Sequence, residues 1–396
     1  MPEGKDINRS LVYGCMDNVI FWDRLNPDDV TLERLGILTL PTKPQFLARS
    51  RDGHFFYAVI SDAGSGVNGA SGSLHGLQAI AVSAEDGSLS LAGPLYPLPE
   101  RPIHISIDDE RHYASVAFNK SGQIRIYHLA DDGTILGEVP QDTVLYAGIF
   151  SHQSVFLPDG RHILVVSRGN SPKDGKAEEL GSLTVYAFDG RSGRANLLTR
   201  VDMPAGVGPR HVIFHPEKDI AYLLVERGSY LFTYEIKDGL LGKAPISQVE
   251  TLEDRSNQDV PRQRGGVGVI HPSGRYLYVS NRADKTEARE GREYLIGGEN
   301  NLAIYALDEA TGKPDLLGHI DCYGAEARNL AIDPSGQVLI SANQKTMMVP
   351  DGTSWKEEPT NMALFRIGED GQLTFVRRYD MRAQGRWLFW LGIFPA

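Results

Sequence analysis

The chain has 396 residues, 41% hydrophobic and 23% charged, with 42 glycines, 22 prolines and a net charge of −11. This is a globular composition rich in turn formers. With no lysine/arginine run or basic stripe, it speaks against nucleic acid or an anionic membrane surface as a partner.

In chain order, the start MPEGKDINRS lacks the apolar stretch of a signal peptide. LVYGC (11–15) follows as a lone apolar strand, then VIFWDRLNPDDVTLERLG (19–36) as a strand pair. From there a phrase repeats six times: FLARSRDGHFFYAVI (46–60), HISIDDERHYASVAF (104–118), HQSVFLPDGRHILVV (152–166), HVIFHPEKDIAYLLV (211–225), VGVIHPSGRYLYVSN (267–281) and NLAIDPSGQVLISAN (329–343). Each copy is a short apolar strand, a tight Asp/Pro/Gly turn and a second, more apolar strand. The turns recur roughly every 50–60 residues, the signature of a repeat architecture. Between copies lies an outer strand pair with period-2 alternation around an Asp-Gly or Gly turn, as in LQAIAVSAEDGSLSL (77–91), IRIYHLADDGTILGE (124–138) and LAIYALDEATGKPDLL (302–317). The segment 19–36 is a seventh, degenerate outer pair. The tail RWLFWLGIFPA (386–396) is apolar but far shorter than the roughly 18 residues of a membrane span. Cys15 and Cys322 lack CxxC spacing, which fits a reducing compartment and offers neither metal nor redox site. The expected location is cytoplasmic.

Four strands per repeat, named A to D from the inside, make the blades of an all-β, seven-bladed β-propeller spanning 1–396 as one domain. The missing inner pair is assembled from LVYGC and the C-terminal tail, so that both termini close the ring and remove exposed edges. Strand A runs antiparallel to B, so A-starts and B-ends share one face beside the channel, and the A–B turns lie on the other. The A-starts carry His104, His152, Arg210 with His211, and Arg328 with Asn329. The B-ends carry Asn119, Arg168, Glu226, Asn281 with Arg282, and Asn343 with Gln344. A polar cluster at a concave mouth is the default site. The long B–C insertions 171–180, 283–300 and 345–360 fall on that same face and are expected to shape or cover it. His215 and His271, before the turn prolines, belong to the far face and are read as turn packing.

At GVGPRHVIFHP (206–216), the Glu of YLLVERGS (222–229) and HPSGRYLYVSNR (271–282), the chain resembles the seven-bladed lactonase family, which includes propeller-type 6-phosphogluconolactonases and fungal 3-carboxymuconate lactonising enzymes. The resemblance runs roughly from the second blade to the sixth. It implies that the family's active-site histidine, the arginine of Gly-Pro-Arg-His, its glutamate and the arginine of Ser-Asn-Arg fall on His152, Arg210, Glu226 and Arg282. There are departures. An Asp-Leu-Gly-x-Asp stretch is here Ser167-Arg168-Gly169-Asn170, a Pro-Arg phrase is Ala327-Arg328, and RGGVGVI (264–270) replaces the residues expected before the last His-Pro.

Opening a lactone needs a water activated near neutral pH and a positive site for the developing oxyanion. A histidine suits the first role and arginine the second, the latter also gripping carboxylate or phosphate with two parallel bonds. The expected catalytic set is His152, Glu226, Arg210 and Arg282, with His104, Arg168, His211, Arg328 and Gln344 lining the substrate. The substrate is a small anionic lactone or polycarboxylate, and neither cofactor nor metal is expected, because the arginines would repel a cation. Two other readings stand beside this one: an intramolecular lactonisation on the same residues, and a non-enzymatic binding propeller. For the individual residues the plainer alternatives are a strand-end histidine bonded to a carbonyl and a structural ion-pair network across blades. Gly64–Gly69 matches GxGxxG but leads into another strand rather than a helix. Trp22-Asp23 occurs once and is no WD repeat, and neither GxSxG nor HExxH is present.

Overall fold

The computed structural model describes residues 10–64, 69–110, 112–173, 175–381 and 387–396. The residues 1–9 that hold most of the expected leader-free start, and 65–68 of the glycine-rich stretch, lie outside them. Among the described residues, seven antiparallel sheets carry the repeat. The second blade is Pro44–Arg49, Phe55–Ser61, His75–Val82 and Leu89–Pro97, hydrogen-bonded in chain order. The third (Pro102–Ile107 to Ile135–Glu138), fourth (Ser151–Phe156 to Arg194–Asp202), sixth (Gln263–Ile270 to Pro314–Asp321) and seventh (Ala327–Ile332 to Leu373–Asp380) repeat that order. The fifth runs Pro209–Phe214, Ile220–Val225, Tyr230–Lys237, with Ser247–Glu250 also on the third strand. The first is composite, as the sequence required. Strand Ser10–Met16 pairs antiparallel with the tail strand Leu388–Pro395, in a register that puts Cys15 opposite Trp390 and Ser10 opposite Pro395.

By its contacts the chain gathers into two compact units. One holds the chain up to Ile37, Ile213–Ile236 and Gly242–Ala396; the other holds Leu38–Val212 and Lys237–Leu241. In each, the core lies between successive blades. Tyr57, Leu77, Ile105, Val116 and Tyr127 join the second and third, and Tyr278, Ile304, Leu330, Leu339 and Phe365 join the sixth and seventh. This explains the amphipathic gradient in the repeat. B strands such as YASVAF and VLISAN are buried at every position, whereas the outer strand RANLLTRVD is mostly exposed. Burying each large apolar side chain contributes roughly 1.5–3 kcal/mol.

The outer Gly turns have a second duty. Gly371 has φ +78°, and a Cβ there would collide with the Tyr276 ring of the preceding blade; Tyr278 donates its hydroxyl to the Gly371 carbonyl at 2.9 Å. A residue without a side chain satisfies both the left-handed backbone and the close approach. The far-face histidines do pack turns: His215 Nε2 bonds to the Gly274 carbonyl at 3.1 Å, and His271 Nε2 to that of Gly336 at 3.0 Å, each reaching the next blade's A–B turn.

Two of the long insertions are not loops. Thr286–Arg289 with Arg292–Leu295, and Met347–Asp351 with Ser354–Glu358, are hairpins that join through a parallel contact between Tyr294 and Met348 into an extra four-stranded sheet. The first turns on Glu290-Gly291, with φ of 49° and 75°, the two-residue geometry that matches strand twist. The strands of the first, TEAR and REYL, are mostly charged and carry little apolar alternation, whereas MMVPD of the second buries Met347 and Met348.

Candidate active site

A β-bulge recurs where strand A begins. Ser151 pairs with Ser167 and Gln153 with Val166, leaving His152 as the extra residue. Ala327 pairs with Asn343 and Asn329 with Ala342, leaving Arg328 extra. The same slip leaves Gln45 and Ile103 extra in the second and third blades. A bulge re-aims one side chain while the ladder continues, and in the fourth and seventh blades that side chain is His152 and Arg328.

In the unit containing Leu38–Val212, three histidines and an arginine meet. The His152 ring lies 4.9 Å from that of His211, edge-on, and His211 lies 6.1 Å from His104. Arg210 Nη1 is 3.2 Å from His211 Nδ1. Guanidinium can only donate, so His211 accepts at Nδ1 and carries its proton on Nε2. The side-chain amide of Gln153, next to His152, accepts from Val212 N at 2.6 Å and donates to Val212 O at 3.2 Å. This clamp fixes one strand head against the next. His104 is buried against Phe46 at 4.1 Å. Its pKa is lowered to about 3, chiefly by burial, against an opposing hydrogen bond with the Ser154 backbone and with a smaller push in the same direction from the positive Arg210. His104 is therefore neutral at physiological pH, with no hydrogen bond at Nδ1. The Arg168 guanidinium lies 3.8 Å over the Phe150 ring, which in turn stacks at 6.4 Å on His152. Phe150, unforeseen in the sequence, holds φ at +58°, an uncommon conformation for an aromatic residue and one that collects at functional sites. No sequence signal marks it.

In the other unit, the remaining four expected residues join an alternating chain of charges. Arg264 contacts Glu226 at 3.0 Å, Arg282 contacts Glu226 at 3.5 Å and Glu326 at 2.9 Å, and Arg328 contacts Glu326 at 3.5 Å. Gln344 donates its backbone N–H to the Glu326 carbonyl at 3.1 Å. Arg282 and both carboxylates are nearly sealed from solvent, whereas Arg264 and Arg328 are 22% and 29% exposed. Burial acts against the charge of Arg282, but Glu226 and Glu326 outweigh it and hold its pKa above the ordinary value. Arg328 is held below the ordinary value, first by burial and then by repulsion from Arg282. Beside the chain, Arg262 and Asp284 form a two-bonded pair.

Sequence reasoning missed Arg264 and Glu326. Alignment on the Pro-Ser-Gly turn starts the sixth strand A at Val267, but the strand begins at Gln263 and slips register between Gly265 and Gly268. Glu326 lies just outside its strand, at φ +58°. Asn281 and Asn343 turn instead into their own blades. Asn281 donates to Asn301 at 2.9 Å and Asn343 to Asn361 at 2.8 Å, stapling strand B to strand C. Among the described residues, no group of three or more His, Cys, Asp or Glu is arranged to hold a metal ion, and no helix is long and apolar enough to cross a membrane.

Residues 18–351 match the model of a family described as lactonase, seven-bladed β-propeller. The chain belongs to this family. Similar curated proteins include the 6-phosphogluconolactonase of Yersinia pestis (strain Pestoides F), 27% identical over 315 residues covering 78% of this chain and 79% of that protein. Another is the 6-phosphogluconolactonase of Bacillus subtilis (strain 168), 20% identical over 341 residues covering 84% and 83%. Among solved structures, the periplasmic gluconolactonase of Pseudomonas aeruginosa superposes with a TM-score of 0.75 at 19% identity, over 98% of this chain and 99% of that one. These structural likenesses bear on the fold, and the lactonase fold is thereby the one the sequence predicted.

Proposed function

We propose that this lactonase-family chain hydrolyses a small lactone bearing a carboxylate or phosphate, with His152 as general base and Arg210 as the oxyanion partner. The observation that carries the reading is the triplet His152–His211–Arg210, placed by a bulge and an amide clamp at adjoining strand heads. In the reaction, His152 takes a proton from water as the water oxygen attacks the lactone carbonyl carbon. Negative charge develops on the carbonyl oxygen, where Arg210 stabilises it. The ring C–O bond then breaks, the proton passes to the departing oxygen, and a hydroxy acid is released. His211, holding Arg210 through Nδ1, fixes the guanidinium. His104 serves as a neutral wall rather than a proton carrier, and Arg168 on Phe150 adds positive charge at the rim. The names of the relatives, 6-phosphogluconolactonase and gluconolactonase, support a sugar-acid lactone as the substrate class.

The test is direct. Purified protein is assayed by proton release against gluconolactone phosphate and unphosphorylated gluconolactone, and by proton uptake against carboxymuconate. Faster opening of the phosphorylated lactone is the expected result. Turnover of carboxymuconate alone would replace hydrolysis with lactonisation, and no turnover of any of the three would end the enzymatic reading.

A further inference from the structure

The ion chain Arg264–Glu226–Arg282–Glu326–Arg328 is asymmetric in charge and in exposure. Three guanidiniums face two carboxylates, which leaves one positive charge in excess. The central Arg282 is buried, with Nη1 and Nη2 each directed at an acid. The surplus therefore resides at the ends, which are the solvent-touching members. Arg264 engages Glu226 through Nη1 alone, and Arg328 engages Glu326 through Nη1 alone. A guanidinium has five donors in a fixed fork, so each end keeps unused donors. Arg328 is also the bulge residue of its strand, in the position that presents His152 in the fourth blade. Its charge is disfavoured by burial and by Arg282, a debt that an incoming anion relieves. Next to it, the Gln344 side-chain carbonyl is buried without a hydrogen bond, an acceptor suited to a ligand hydroxyl.

We propose that Arg264 and Arg328 form an anion receptor for a small hydroxylated carboxylate or phosphate, with Arg282 and the two glutamates serving to position them. The proposal takes from the lactonase reading only the charge class of the ligand. Glu226 is accordingly a positioning residue that orients two arginines, not a proton-transfer group. Glu326, which no motif marks, is its counterpart.

The experiment is calorimetric titration of the whole chain with inorganic phosphate and, separately, tricarballylate, for wild type and for Arg264→Gln and Arg328→Gln. Thermal unfolding serves as the folding control, and Arg264→Lys as a charge-retaining variant. Wild type is expected to bind at least one of the two anions, and whichever binds tighter names the anionic group. Each Gln variant is expected to weaken binding by about tenfold or more with an unchanged unfolding midpoint. Lys at 264 should recover part of the loss. Absence of binding by wild type, or unaltered binding in both folded Gln variants, overturns the receptor. Kinetics separate this from the lactonase reading. Turnover with an unchanged KM for phosphorylated lactone in both variants sinks the receptor and leaves the lactonase. Anion binding that depends on Arg264 and Arg328 without any lactone turnover does the reverse.

Discussion

In Leu38–Val212 the polar strand heads are mostly rings packed on rings: His104 on Phe46, His211 on His152, and Phe150 between His152 and Arg168. In the unit that holds Gly242–Ala396 they are charges packed on charges, from Arg264 to Arg328. The same repeat supplies both, from the same strand positions. The difference teaches that a repeated scaffold fixes where side chains are presented, while each blade's residue decides what is presented. A neutral imidazole can accept a proton at neutral pH, whereas a guanidinium locked between carboxylates can orient or attract but cannot exchange protons.

The contrast can be broken by substitution. His152→Ala should lower kcat by about 10²–10⁴-fold, the usual reach of general base catalysis, with the unfolding midpoint preserved; wild-type turnover in that variant would remove His152 from the reaction. Arg282→Met should act the opposite way. It removes the buried guanidinium that Glu226 and Glu326 share, and denaturant melts should register a loss of about 3–5 kcal/mol. A loss near zero would mean that solvent compensates the carboxylates and the chain is not a structural unit. Gly371→Ala touches neither cluster, and the expected stability loss is about 1–3 kcal/mol from the left-handed backbone and the Tyr276 collision. Activity should stay normal at temperatures where the variant is folded.

The most gradual effect concerns pH. His104 titrates near 6.5 when unfolded but near 3 when folded. Between those values the unfolded chain binds a proton that the folded chain refuses, so stability falls as pH drops through that window. Replacing His104 with Phe should flatten the acid limb by up to about 1.4 kcal/mol per pH unit. Identical acid limbs for the two proteins would show that His104 is accessible to protons in the fold.

How much of this was legible in the sequence differs by level. The turn-anchored phrase gave the blades, and the surplus apolar ends LVYGC and LFWLGIF gave the composite blade, because both follow from periodicity and burial. Strand direction alone selected His152, Arg210 and His211, which meet as rings and guanidinium, and also Arg282, Glu226 and Arg328, which join the ion chain. What stayed hidden depends on local register or on unusual backbone. The slip at Gly265–Gly268 concealed Arg264, and positive φ values concealed Glu326 and Phe150. Charged hairpins such as Thr286–Leu295 carry no apolar alternation, so they read as loops although their turn residues are those of a tight hairpin.

The composite first blade has a consequence for folding. Its inner strand, Leu388–Pro395, pairs with Ser10–Met16, so the blade is complete only when two strands far apart in the chain have met. Until then Ser10–Met16 offers one uncovered hydrogen-bonding edge, the kind that recruits foreign strands. A chain cut before Leu388 would keep that edge open and is expected to associate through it.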